Sequence, residues 1–108
     1  MKETIGEYIH SLRTSSGMTL TKLAAALDID QSTLSKIENG KRSIPKDILP
    51  KLADAFDLNL RELECEFCSE LVAELIYSYE EPREVLKLAE EKAKYLRLKK
   101  HEQGKIDF

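Results

Sequence analysis

Two cysteines separated by two residues are the first candidates for chemistry in this 108-residue sequence. Cys65 and Cys68 have the spacing of a metal-ligand or thiol–disulfide pair. No second pair follows, and the two histidines, His10 and His101, lie far away in the sequence. Both cysteines fall in an apolar helical stripe, where thiols more often pack in a core or an interface. We therefore expect no metal site, with a zinc ion shared between two subunits as the alternative.

The other candidates for catalysis do not form a set. Neither His10 nor His101 has a nucleophile or a carboxylate at the spacing of a catalytic motif. Tyr77 and Tyr79, which lie beside two glutamates, are explained as the end of a helix. We expect no catalytic residues, no cofactor and no enzymatic activity.

The polar side chains between Gln31 and Lys36 lie in the most informative stretch of the chain, residues 18–41. Apolar residues in this stretch recur at the spacing that lets two short helices face one small core. These residues are Leu23, Leu27, Ile29, Leu34 and Ile37, and Ala24 is small where a second helix would cross closely. The pattern predicts a helix-turn-helix, which places the N-terminal part of its second helix in the major groove of DNA.

The remaining sequence also predicts helices, with no strand pattern and no repeat, so we expect an all-α protein. The predicted helices cover about residues 4–15, 20–27, 31–39, 46–56, 60–79 and 82–100, followed by a loose polar tail, residues 101–108. Gly17 is a helix stop, and Thr19, Asp30 and Asn59 can cap helix starts through their side chains. Asp28 occupies the predicted turn, where we expect a left-handed backbone.

Charge is distributed unevenly along the chain, although the net charge is only −3. Residues 36–51 hold five basic and two acidic side chains, which suits a surface facing phosphates. Residues 62–91 hold ten glutamates and two basic residues, and we expect them to face away from DNA. Residues 92–105 are basic again. No apolar run is long enough to cross a bilayer and no signal peptide is evident, so we expect a cytoplasmic protein with no membrane partner.

Residues 5–63 resemble the lambda-repressor-like, Xre-type family of bacterial and phage regulators. The resemblance depends mainly on the segment Leu34–Lys41, with Leu23 and Ala24 upstream. It implies a five-helix DNA-binding domain over residues 1–63, and residues 64–108 would form a C-terminal helical extension. Leu20 departs from the family, which often has Gln at the start of helix 2 to brace a phosphate and a neighbouring Gln. Asp28 departs from the usual turn glycine.

The resemblance also implies which side chains contact double-stranded DNA. The residues expected at base edges are Gln31, Ser32, Thr33 and Lys36. The residues expected at phosphates are Thr19, Asn39, Lys41 and Arg42. Gln can pair with adenine through two hydrogen bonds, and Lys can donate to guanine. Arg13 and Glu38 match a family pair that ties helix 1 to the end of helix 3, and we expect a partly buried ion pair.

The C-terminal extension carries more apolar surface than one small domain requires. We hypothesise that helices 5 and 6 form a homodimer interface, with helix 6 folding back on its own domain as the alternative. The residues expected at this interface are Phe67, Leu71, Leu75, Leu86 and Leu96. A dimer would match a short palindromic operator.

Three regulatory roles fit the resemblance: a phage-type repressor, an autoregulating antitoxin and a restriction–modification controller, which we favour. The alternative function is an antitoxin or adaptor whose C-terminal helices bind a protein partner. The operator, the sign of regulation, the regulated genes and any effector do not follow from the sequence.

Overall fold

The computed structural model describes residues 3–106, which contain α-helices and no strand. The helices are α1 (Ile5–Ser15), α2 (Leu20–Leu27), α3 (Gln31–Glu38), α4 (Leu49–Phe56), α5 (Leu60–Ile76) and α6 (Pro82–Ile106). A short 3₁₀ turn, Lys46–Ile48, precedes α4. The predicted all-α class is confirmed.

The helix ends around the turn between α2 and α3 are formed by the predicted side chains. Thr19 Oγ1 accepts a hydrogen bond from the Lys22 amide at 3.1 Å and caps α2. Asp28 adopts the left-handed conformation, with φ 57° and ψ 43°. Asp30 Oδ1 accepts a hydrogen bond from the Thr33 amide at 2.7 Å and caps α3. These caps fix where the second helix of the motif begins.

Two other helix ends have features that the sequence pattern did not reveal. Thr4 and Glu7 form a capping box at the start of α1, and the backbone hydrogen bond from Thr4 lowers the pKa of Glu7. Asp57 ends α4 in the left-handed conformation, with φ 52°. Asn59, as predicted, caps α5 by accepting a hydrogen bond from the Glu62 amide at 3.0 Å.

The core lies among α1–α4, the segment before α4 and the start of α5. α3 packs against α1 and α2, and α2 also packs against α4. The buried apolar residues are Ile5, Ile9, Leu23, Ala24, Leu27, Leu34, Ile37, Ile44, Ile48, Leu49, Leu52, Ala53 and Leu63. This arrangement buries one face of α3 and leaves its polar face outside the core.

Gly6 lies at a close contact between α1 and α3. This glycine is buried in the first turn of α1, and a Cβ there would collide with the carbonyl oxygen of Ile37. Glycine is therefore required by the contact between the two helices rather than by backbone conformation.

The chain divides into two compact units, Met1–Val72 and Ala73–Phe108. The boundary predicted at residue 63 falls inside α5, which continues without a break to Ile76, and the division into a DNA-binding domain and an extension stays a prediction. Within the first unit the Ile5 amide donates a hydrogen bond to Glu70 Oε1 at 2.8 Å. The start of α1 is thus joined to a residue 65 positions away.

α6 is longer than the sequence pattern indicated. The helix continues to Ile106, so the prediction of a loose tail is wrong for residues 101–106, and residues 107–108 lie outside the described residues. Lysine, glutamate and glutamine favour helices, and basic residues near a helix C-terminus interact favourably with its dipole. Gly104 costs only about 1 kcal/mol in a helix, which does not end it. No helix in the described part of the chain is long and apolar enough to span a bilayer.

Candidate nucleic-acid interface

The first turn of α3 is organised around the Asp30 carboxylate. Asp30 Oδ1 accepts hydrogen bonds from the Thr33 amide and from Ser32 Oγ, the latter at 3.0 Å. The backbone hydrogen bond from Thr33 lowers the pKa of Asp30, and the hydroxyl of Ser32 and the charge of Arg42 act in the same direction. Asp30 is therefore ionised at neutral pH and holds the start of the helix.

This hydrogen bond leaves Ser32 only the role of a hydrogen-bond acceptor toward a ligand. Its single hydroxyl hydrogen points to Asp30, so the Ser32 oxygen presents only lone pairs to a ligand. Adenine N6 and cytosine N4 are the major-groove donors that such an acceptor can meet. The sequence motif indicated Ser32 as a base contact but did not indicate this polarity.

Gln31 is exposed and is held by a side chain from α2. Thr21 Oγ1 donates a hydrogen bond to Gln31 Oε1 at 2.6 Å. The sequence pattern did not indicate Thr21, because the family's bracing Gln is expected one position earlier, where this chain has Leu20. The only signal available was a hydroxyl residue in the first turn of α2.

The other two predicted base-contacting residues differ in exposure. Lys36 is exposed and lies one turn after Ser32, so the two side chains share a face of α3. Thr33 is only partly exposed, and its Oγ1 is 3.5 Å from Arg42 Nη1, which donates to it. The structure thus presents Gln31, Ser32 and Lys36 more openly than Thr33.

The predicted phosphate-contacting residues are all exposed, but the Asn39 amide already donates to its own helix. Asn39 Nδ2 donates to the Ser35 carbonyl oxygen at 2.9 Å and so stabilises the end of α3. The Thr19 oxygen accepts from the backbone as a cap, which leaves its hydroxyl hydrogen available as a donor. Lys41 and Arg42 follow α3 in an exposed loop.

Arg13 of α1 and Glu38 of α3, the expected ion pair, are in direct contact. Arg13 Nε donates to Glu38 Oε2 at 2.8 Å, and Arg13 Nη2 donates to Glu38 Oε1 at 3.0 Å. The Glu38 side chain is 4% exposed and that of Arg13 is 15% exposed. Arg13 Nη1 also donates to the Met18 carbonyl oxygen at 3.1 Å, which connects the pair to the segment before α2.

His10 completes this cluster, which the sequence did not indicate. Its Nδ1 lies 2.7 Å from Glu38 Oε1. Burial raises the pKa of Glu38, but hydrogen bonds from Arg13 and His10 outweigh that effect and leave the pKa below its ordinary value. Because an ionised carboxylate only accepts hydrogen bonds, His10 Nδ1 carries the hydrogen.

The residues expected at a dimer interface lie on α5 and α6. Phe67 is half-buried and packs against the core of the first unit, so part of its surface is already used. The other four are exposed, namely Leu71, Leu75, Leu86 and Leu96. Leu75 is 74% exposed, the highest value of the four.

Cys65 and Cys68 are both exposed thiols on α5, so neither lies in the core, and a position in an interface stays a prediction. The described residues include no group of three or more histidine, cysteine, aspartate or glutamate side chains that could hold a metal ion.

A family model described as helix-turn-helix matches residues 9–63, which is half of the chain and includes α2, α3 and the cluster at Glu38. The chain belongs to the helix-turn-helix family. The resemblance to lambda-repressor-like, Xre-type regulators is confirmed, and this is a family of transcriptional regulators rather than of enzymes.

Two curated relatives carry this type of domain. Over 70 residues the chain is 34% identical to the HTH-type transcriptional regulator PrpR of Mycobacterium tuberculosis, covering 65% of this chain and 14% of PrpR. Over 57 residues it is 37% identical to the HTH-type transcriptional repressor RghR of Bacillus subtilis, covering 52% of this chain and 42% of RghR. The chain therefore spans less than half the length of either relative.

A solved structure shares the fold. The clp gene regulator ClgR from Corynebacterium glutamicum superposes with a TM-score of 0.50 at 24% identity, covering 78% of this chain and 87% of that one. This similarity supports the helical architecture.

Proposed function

We propose that this protein is a sequence-specific DNA-binding transcriptional regulator that reads the major groove with the first half of α3. The observation that carries this proposal is that the polar face of α3 is exposed while the helix is held by the core. Its apolar face is buried, its N-terminus is capped by Asp30, and Gln31, Ser32 and Lys36 remain exposed on the family's recognition helix. These three side chains offer an amide, an acceptor oxygen and a cation to base edges.

Phosphate contacts would position α3 without reading sequence. Thr19 at the start of α2, together with Lys41 and Arg42 after α3, supplies donors on both sides of the recognition helix in the chain. Asn39 contributes less, because its amide already donates to the end of its own helix. Such a regulator acts in the cytoplasm, where its DNA target lies.

We further propose that two copies bind a short palindrome. One helix-turn-helix offers few base contacts, and pairing two copies doubles them. The exposed leucines of α5 and α6 supply apolar surface for that pairing.

A second candidate function is supported by the same surface. Exposed apolar residues on α5, among ten glutamates in residues 62–91, also suit a protein partner, as in an antitoxin or adaptor. An adjacent methyltransferase gene would favour the restriction–modification controller, and an adjacent toxin gene would favour the antitoxin.

The test compares the parent with a variant in which Gln31, Ser32 and Lys36 are all changed to alanine. Duplexes that the parent prefers are selected from a random library, and gel shifts then measure binding against random competitor. We expect the variant to retain its helical circular dichroism and to lose its preference for the selected duplex. A control variant with Ser11, Thr14 and Lys87 changed to alanine, all exposed and outside the segment from α2 to Arg42, should keep it. A parent chain that prefers no duplex would contradict the proposal.

A further inference from the structure

Thr21 makes the one side-chain hydrogen bond recorded between α2 and α3 among the described residues. The cap of α2 is Thr19, so the hydroxyl of Thr21 is not needed to start the helix. Instead Thr21 Oγ1 donates to Gln31 Oε1 at 2.6 Å, although both residues are exposed. A short hydrogen bond between two exposed side chains on neighbouring helices restricts the rotamers of both.

This hydrogen bond distinguishes the two ends of the Gln31 amide. A glutamine amide accepts through Oε1 and donates through Nε2. With Thr21 donating to Oε1, that oxygen keeps one free lone pair and lies toward α2, while both Nε2 hydrogens are free. A bidentate contact with adenine needs one acceptor and one donor, which are the groups left available.

We propose that Thr21 is a positioning residue that sets base preference by fixing the orientation of the Gln31 amide toward adenine. The proposal depends on the proposed function, because it requires Gln31 to contact a base. Without the hydroxyl, the amide rotates freely and offers its donors and its acceptor in either order. Guanine, which presents two acceptors at its major-groove edge, then competes better with adenine.

The DNA test compares the full chain with three variants at threonines and with Gln31→Ala. Thr21→Val removes the hydroxyl and keeps the branched shape, Thr21→Ser keeps the hydroxyl, and Thr14→Val is the control at an exposed threonine of α1. Gln31→Ala identifies the base pair that Gln31 reads, because at that pair the variant no longer distinguishes adenine from the other bases. At that pair we expect Thr21→Val to lose about two- to tenfold in preference for adenine over guanine, the cost of ordering one side chain. Thr21→Ser should restore the preference, and Thr14→Val should not change it.

Two results would overturn the proposal. One is unchanged adenine preference in Thr21→Val. The other is an equal loss of affinity for all duplexes, which indicates a phosphate contact by Thr21 instead.

A measurement without DNA separates this proposal from the proposed function. Nitrogen-15 relaxation of the Gln31 side-chain amide should show greater mobility in Thr21→Val than in the parent, and parent-like mobility in Thr21→Ser. Equal mobility in parent and Thr21→Val would show that Thr21 does not hold the amide, whatever the DNA result. If Gln31 is ordered by Thr21 but the parent prefers no duplex, the proposed function fails, and base selection by Thr21 fails with it.

Discussion

At the scale of single residues, Glu38 is the only buried charged side chain among the residues that the structure describes. Its carboxylate receives hydrogen bonds from Arg13 and His10, which belong to α1, while Glu38 itself ends α3. The cluster therefore joins α3 to α1. Removing the carboxylate leaves the largely buried Arg13 guanidinium without its acceptor, whereas His10 remains accessible to water.

We predict that Glu38→Gln lowers the free energy of unfolding by about 1–3 kcal/mol, the cost of leaving a buried hydrogen-bonding group unsatisfied. Urea denaturation at neutral pH measures this. Arg13→Ala and the double variant complete a mutant cycle, in which the coupling between the two sites should be favourable. A Glu38→Gln variant as stable as the parent would show that the ion pair does not stabilise the fold.

The same cluster predicts how stability depends on pH. Because the pKa of Glu38 in the folded protein lies below its ordinary value of 4.5, its contribution is complete above that pH. The contribution is lost as the pH falls through the lower folded value. The parent should therefore lose more stability on acidification than Glu38→Gln does. Some dependence should remain in the variant, since Glu7 and Asp30 also have lowered pKa values.

The sequence predicted some of these residues and not others for a physical reason. The caps at Thr19 and Asp30 are local, since each depends on an amide three residues away. The hydrogen bond of Thr21 to Gln31 and the contact of His10 with Glu38 join residues 10 and 28 positions apart. Such contacts depend on how helices cross, which composition and spacing do not determine.

At the scale of helices, the contact between α1 and α3 supports the helix that we propose reads DNA. Helix periodicity predicted both elements and most of the core between them. It did not predict Gly6, because a glycine in a helix usually costs stability and only the close approach of Ile37 explains it here. The length of α6 was also missed, since its end is not marked by an effective stop signal.

We predict that Gly6→Ala destabilises the protein by about 1–3 kcal/mol, the usual cost of overpacking, because the new Cβ meets a backbone carbonyl. Ser11→Ala, an exposed change in the same helix, is the control and should be neutral or slightly stabilising. Thermal denaturation followed by circular dichroism compares the three proteins. If Gly6→Ala melts no lower than the parent, α1 and α3 do not approach as described.

At the scale of the whole molecule, the proposed dimer depends on the exposed leucines of α5 and α6. We predict that light scattering at tens of micromolar gives the parent twice the chain mass of 12.4 kDa. Leu75→Glu should shift the mass toward one chain, because it places a charge in the proposed interface. The fold should be unaffected, since Leu75 is 74% exposed.

Tyr77→Glu is the matched control for this change. Tyr77 is 84% exposed but is not among the residues proposed for the interface, so the variant should remain dimeric. A parent chain that is monomeric even at high micromolar concentration would exclude the dimer. DNA binding by single copies would remain possible, so this result would not decide the role of α3.

The most direct test of major-groove reading by α3 is binding to the preferred duplex after single purines are replaced by their 7-deaza forms. This change removes the N7 acceptor from the major groove and leaves the minor groove and phosphates intact. We predict that at least one replacement weakens binding of the parent about tenfold, within the range for a specific base contact, and that the variant with alanine at Gln31, Ser32 and Lys36 is insensitive. If every replacement is without effect on the parent, α3 does not read purines in the major groove, and the central claim is contradicted.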